Sequence, residues 1–184
     1  MELTEEKLKT YDDYAKLPEG ASYQLIAGEI IMSPAPDLNH QIISRKIFLQ
    51  LSAFVFGHNL GELFYAPTDV YFNEHETFQP DILFVSTERK HILKAERIEG
   101  APDLVVEILS PSTGYYDLAK KKDVYEQSGV KEYWIVDPKL KSIEVLTNQN
   151  GNFVTLAKAK QSGIVASKLL AGFQVDVASV FEKK

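Results

Sequence analysis

The chain contains no cysteine. This excludes disulfides, thiolate nucleophiles and cysteine-ligated zinc, and with them a disulfide-stapled secreted domain. It also lacks any uninterrupted apolar run of the ~20 residues that crossing a bilayer requires. Positive charge is not in excess either: 20 Lys and Arg stand against 26 Asp and Glu, for a formal net charge of −6. A protein that grips DNA chiefly by neutralising phosphates is usually basic, so this balance argues against a tight nucleic-acid binder. It argues less against an enzyme that meets a phosphodiester through a bound cation. No internal repeat, low-complexity tract or Gly/Pro/Ser-rich linker breaks the sequence. The opening MELTEEKLKT is acidic and mixed in charge, unlike the basic start and apolar run of a signal peptide. A soluble, cytoplasmic protein without membrane association is therefore expected.

The 184 residues suit one compact domain, 1–184. Leu3, Leu8, Tyr11, Tyr14 and Leu17 give a short periodic pattern that predicts an N-terminal helical extension over 1–21, closed by Pro18-Glu-Gly20. YQLIAGEIIMS, broken at Ala27-Gly28, predicts a hairpin. Asp37 or Asn39 can cap a helix running to about Phe56, with Ile43, Ile47, Leu51 and Phe54 as its core face. Strands are expected over Leu63–Phe72, Ile82–Val85 and Leu104–Leu109, with a charged surface helix and loop between the last two. A helix from about Leu118 to Gln127, capped by Asp117 and stopped by Gly129, leads into strands at EYWIVD, SIEVLT and FVTLA. Alternating helices and strands with some hairpins imply an α/β (α+β) architecture, a mixed sheet flanked by helices.

Three residues break their local rule. Glu107 interrupts Leu104-Val-Val-Glu-Ile-Leu109, whose apolar character on both faces implies a covered central strand. Alternation puts Asp103, Val105, Glu107 and Leu109 on one face, opposite Leu104, Val106 and Ile108. A buried carboxylate there needs a cation, either a helix lysine in a structural ion pair or a metal. Asp81 follows Gln79-Pro80 at a strand entry, a place where an aspartate is also ordinary. Lys121 shares a helix face with Leu118 and Tyr125, so it either snorkels outward or meets a buried anion.

Two carboxylates on strands and one lysine suit phosphodiester hydrolysis. Mg²⁺ takes one or two protein carboxylates and keeps its waters, and it both neutralises phosphate charge and generates hydroxide near neutral pH. At this point the sequence resembles a known family. Pro80-Asp81 followed by Glu107-Ile-Leu109 looks like the PD-(D/E)xK signature of restriction-endonuclease-like proteins. Gly28-Glu29-Ile30, Ser33-Pro34, His40, Gln79-Pro80-Asp81 and Pro102-Asp-Leu-Val-Val-Glu-Ile-Leu-Ser-Pro-Ser-Thr113 resemble, in order, blocks of the bacterial Uma family of restriction endonucleases. Asp117 with Lys121 and Tyr125, then Gly129-Val130 before Glu132-Tyr-Trp-Ile-Val-Asp-Pro138, complete the likeness, which spans about Tyr23 to Phe173.

The resemblance implies a restriction-endonuclease-like fold acting on DNA, with Mg²⁺ (or Mn²⁺) held by Asp81 and Glu107. It implies Glu29 as an accessory carboxylate, although a glutamate after a hairpin glycine is otherwise simple surface. The position two after Glu107 is Leu109, a departure from the parent signature; the family supplies its lysine from the following helix, where Lys121 matches. His40, on the face of Ile43 and Ile47, is either packed against the core or a phosphate contact in the cleft. Asp103 reads as a strand-entry cap, and Tyr125 and Trp134 as core. Ser110 and Ser112 have no histidine–acid pairing in sequence, and the four histidines have no zinc-like spacing. The basic run Arg89-Lys90-His91, with Lys94 and Arg97, is a solvated helix face or a DNA-facing edge. Double-strand cutting takes two sites, which suits a homodimer. A non-catalytic nucleic-acid-binding module, a hydrolase of another phosphate ester and an inactive scaffold stay open beside the endonuclease.

Overall fold

The helix of residues 38–57 and the strand of residues 104–108 organise the structure. The computed structural model of the chain describes residues 7–18, 22–110 and 114–182, and from 118 onward for side chains in the second long helix. In chain order the elements are α1 (Tyr11–Tyr14), β1 (Tyr23–Ile26), β2 (Glu29–Met32), α2 (Leu38–Gly57), β3 (Gly61–Tyr65), β4 (Val70–Asn73), β5 (Glu76–Phe78) and β6 (Ile82–Ser86). A 3₁₀ turn (Thr87–Ile92), β7 (Ile98–Glu99), β8 (Leu104–Ile108), α3 (Gly114–Ser128), β9 (Glu132–Asp137), β10 (Ser142–Gln149) and β11 (Asn152–Lys160) follow. Strands β12 (Ile164–Ala166) and β13 (Gln174–Asp176) and helix α4 (Val177–Phe181) complete the chain. Among the described residues no helix is long and apolar enough to cross a membrane.

The architecture is mixed α+β. A six-stranded sheet in the order β11-β10-β9-β8-β6-β3 is antiparallel except for the parallel pair β8–β9. That pair needs a crossover, and α3 supplies it. Leu104, Val106 and Ile108 face α2, whose Ile43, Ile47, Leu51 and Val55 are buried against them with Trp134. Val105 points the other way and packs with Tyr125 of α3, Tyr133, Ile26 and Phe78. Burial on both faces explains why β8 reads as an unbroken apolar run. A second sheet, β2-β1-β5-β4-β7, shares that other face with α3, so the central layer is covered by a helix and strands there rather than by helices alone.

Local signals account for most elements. Ala27 (φ 52°) and Gly28 (φ 73°) are both left-handed, as the primed two-residue hairpin turns require. The Asp37 carboxylate caps α2 by accepting from the His40 amide at 2.7 Å. The expected Leu63–Phe72 strand is instead two strands in different sheets, because Pro67 has no N–H for a ladder and the chain crosses over there. The N-terminal helix shrinks to the single turn Tyr11–Tyr14, with Leu3 and Gly20 outside the described residues. Helix α3 begins at Gly114, earlier than expected, so Asp117 lies inside it and is not its cap; the Asp117 side chain is outside the description. The core face of α2 uses Val55 where Phe54 was expected, Phe54 being only partly buried beside it.

Candidate functional site

Strands β6 and β8 are antiparallel with Ile82 opposite Val106. One step further along that register sets Asp81 opposite Glu107, on the same side of the sheet. The Ile108 amide donates to Asp81 Oδ2 at 2.8 Å, which fixes the carboxylate at the strand entry. Upstream, the Gln79 amide donates to Gln24 Oε1 and ties the β1–β2 hairpin to the same entry.

Glu107 is 8% exposed and Lys121 7%. Lys121 Nζ donates to Glu107 Oε1 at 3.0 Å, and the Tyr125 hydroxyl donates to the same oxygen at 2.6 Å. The helical stripe Leu118–Lys121–Tyr125 thus aims two donors at one strand carboxylate. Burial raises the Glu107 pKa; the Lys121 ammonium opposes the shift and the Asp81 carboxylate adds to it, leaving the pKa above the usual glutamate range. Two facing carboxylates, with the Lys121 ammonium on Glu107 and His40 on Asp81, leave room for further positive charge.

His40, in the first turn of α2, places Nε2 3.3 Å from Asp81 Oδ2 and 3.2 Å from the Ile108 carbonyl. Both partners accept, so Nε2 carries the proton. Burial alone would lower the His40 pKa, but the Asp81 bond and charge, with the Ile108 carbonyl, outweigh it and the net shift is upward. Asp81, Glu107, Lys121 and His40 all line one cleft of about 890 Å³ between the hairpin, α2 and α3. Glu29 does not join them. It pairs with Ile26 beside the turn, on the side of the hairpin that also carries Ile31, but it is exposed and does not line the cleft.

Other expectations resolve in detail. Asp103 is fully buried, and it takes the Ser86 amide at 2.8 Å, Lys131 at 2.6 Å and Arg89 at 3.3 Å. It is therefore an ion-paired anchor more than a strand cap. Burial pushes its pKa up, but Lys131, the Ser86 amide and Arg89 outweigh this and hold it below the usual carboxylate range. Four residues of strand separate it from Glu107, roughly 13 Å. Most of the basic run is occupied: Arg89 by Asp103, Lys90 by Glu62 at 2.8 Å, Lys94 by the His91 carbonyl, and Arg97 by Glu99 and the Tyr11 ring. Trp134 is core, its indole N–H donating to the buried Glu132 at 2.8 Å. Tyr125 is core too, yet its hydroxyl belongs to the site. A tyrosine one turn beyond a buried lysine was the available signal, since a buried phenol needs a partner.

For a hard divalent cation, oxygen donors are required, and one or two carboxylates suffice. Among the described residues no group of three or more His, Asp or Glu could hold a metal on its own. The two carboxylates fit the smaller demand. His40 and the Ile108 amide both use Asp81 Oδ2, and Lys121 and Tyr125 both use Glu107 Oε1.

The chain as a whole is similar to known proteins. The Uma2 family, described as "Putative restriction endonuclease", matches residues 10–178. An uncharacterized protein of Synechocystis sp. is 26% identical over 135 residues, 71% of this chain and 76% of that protein. The crystal structure of "a putative nuclease belonging to DUF820" from Anabaena variabilis superposes with a TM-score of 0.78 at 23% identity, covering 94% of this chain and 97% of that one. At that identity the superposition shows the shared fold.

Proposed function

We propose, from the premise that this chain belongs to the Uma2 family, that it is a divalent-cation-dependent endonuclease hydrolysing DNA phosphodiester bonds. The observation that carries the reading is the meeting of Asp81, Glu107 and Lys121 in one cleft. Asp81 and Glu107 would hold Mg²⁺ or Mn²⁺ between facing strand positions. When bound, the cation supplies charge neutralisation at the scissile phosphate and an acidified water as nucleophile.

The remaining roles fall to the chain itself. Lys121, already on Glu107, would stabilise charge developing on the phosphate or help the attacking water lose its proton. Tyr125 fixes the Glu107 rotamer from below. His40 presents a proton on Nε2, shared between Asp81 and the Ile108 carbonyl, and can turn it to a phosphate oxygen. Glu29, outside the cleft lining, takes no part in this centre. A module that only binds nucleic acid has little use for a buried carboxylate facing Asp81 across adjacent strands, whereas a cation-binding centre does. One centre cuts one strand, so double-strand cleavage takes two copies.

The test uses single-stranded and double-stranded circular DNA with Mg²⁺ or Mn²⁺. Wild-type protein is expected to convert circles to linear or nicked forms only with the cation, and Glu107→Gln is expected to leave them intact. Cleavage without added cation in the presence of chelator, or equal cleavage by Glu107→Gln, would refute the assignment.

A further inference from the structure

We infer that the cleft takes single-stranded DNA, seating an unpaired base against Tyr65 while the neighbouring phosphate meets Asp81 and Glu107. The inference rests on the hydrolytic reading above and names its substrate class.

Charge is the first ground. Holding a duplex by its backbone takes about 6–10 phosphate contacts from Lys and Arg. The basic residues lining this cleft are His40, Arg45 and Lys121. His40 is engaged by Asp81, and Lys121 by Glu107. Arg45 alone has no ion pair with a described residue. Next to it, Lys46 is spent on the carbonyls of Ser179, Val180 and Glu182. In the run from Arg89 to Arg97, Arg89, Lys90 and Arg97 are paired with carboxylates of the chain and Lys94 donates to the His91 carbonyl, and the chain as a whole carries −6. Among the described residues the cleft holds too few cations to track a duplex, while Arg45 suits a single phosphate.

The walls are the second ground. Ile31, Met32, Leu38, Ile42, Phe48 and Tyr65 all line the cleft, and Leu38 is 82% exposed and Tyr65 61%. Contiguous exposed apolar surface marks a contact site. Backbone tracking has no use for it, whereas unpaired bases stack on aromatic rings irrespective of sequence. Tyr65 is built for this: Phe48 braces it edge-to-face at 5.1 Å and 78°, holding the ring while most of it stays open.

Position is the third ground. Tyr65 pairs with Ile82, the residue after Asp81, and the Ala66 amide donates to the Asp81 carbonyl at 3.2 Å. The Tyr65 ring lies on the α2 side of the sheet with Ile82 and Phe48, one backbone step from Asp81, and both residues line the one cleft at the strand end. A cleft of about 890 Å³ falls in the size range, roughly 300–1,000 Å³, of pockets that enclose a small organic group, and a base enters such a pocket only once unpaired.

The probe is a fluorescein-labelled mixed-sequence oligonucleotide, free or annealed to its complement. Binding is read by anisotropy in Ca²⁺ and cleavage in Mn²⁺, for wild type, Tyr65→Ala and Tyr65→Phe. The free strand is expected to bind and be cut at least about tenfold better than the duplex, since each stacked base changes affinity by roughly five- to 150-fold. Tyr65→Ala should lose most of that advantage and Tyr65→Phe should keep it. Duplex cut as well as or better than the free strand overturns this inference and leaves the hydrolytic reading standing. Tyr65-dependent binding of the free strand with no cleavage of either form does the reverse. Free-strand preference undiminished in Tyr65→Ala removes the stacking role and with it the inference.

Discussion

Replacing Lys121 with methionine probes the centre through its stability. Methionine keeps the length and most of the apolar volume of the stem while removing the charge, so its place beside the Phe78 ring survives. At the observed 3.0 Å the attraction to Glu107 is worth about 5 kcal/mol gross at an effective dielectric of ~20. Removing one partner of a buried pair typically costs about 3–5 kcal/mol net. Glu107 can limit this loss by taking up a proton. Its pKa is already raised by burial, and in the variant the opposing Lys121 charge is gone while Asp81 still pushes it up. The native state then holds a proton that the unfolded chain releases above a glutamate value of about 4.3, so stability falls as pH rises from there through the folded value. Urea denaturation of metal-free protein should show Lys121→Met about 3 kcal/mol less stable near pH 8, with most of the loss gone near pH 4. Mn²⁺ should restore more stability to the variant than to wild type, since an added cation replaces the missing charge. A loss equal at both pH values would refute the electrostatic argument and reduce Lys121 to a packing residue.

Tyr125→Phe removes one donor to a charged acceptor and should cost about 1.5–3 kcal/mol in thermal or urea unfolding; a change within error would mean the hydroxyl does not bond Glu107. In metal-free protein the His40 imidazole should titrate above the ordinary 6.5, followed by NMR, and should titrate lower in Asp81→Asn. Its pairing stabilises the fold fully below the unfolded pKa, and that contribution is lost as pH rises through the folded value. Glu132 accepts from Trp134, Ser167 and the amides of Lys168 and Leu169. Glu132→Ala strands four donors and should cost more than about 3 kcal/mol, at about 1–3 kcal/mol for each buried group left unpaired. A milder loss would mean that water replaces the carboxylate.

The parts of this fold legible in the sequence are those where neighbours along the chain decide the outcome. Left-handed turn residues at Ala27-Gly28 mark the hairpin, Asp37 marks the start of α2, and Gly129 ends α3. Period-two alternation separated Leu104, Val106 and Ile108 from Val105 and Glu107, as the two packed faces of β8 show. The 3–4 spacing placed Lys121 with Tyr125, and both meet Glu107.

What escaped depends on distant partners. No local pattern says that the chain changes sheets between β3 and β4, or that β5 pairs with β1 and β7 with β4 from sequence-distant segments. Asp103 looked like a cap because its partners, Arg89 and Lys131, come from either side in sequence and meet only after folding. Tyr65 passed as part of a long strand, since its exposure beside Asp81 depends on where that strand stops. Glu29 faces the right side of its hairpin but lies too near the turn to line the cleft, and that depends on how far the hairpin reaches.

The most direct measurement is Mn²⁺ binding by calorimetry to wild type, Asp81→Asn and Glu107→Gln, with circular dichroism to establish that each is folded. The account predicts that the wild-type protein binds the ion and that both variants, still folded, lose the heat. Wild-type binding heat retained in both variants would contradict it, making Glu107 and Lys121 a structural ion pair and leaving the facing carboxylates without a cation to hold.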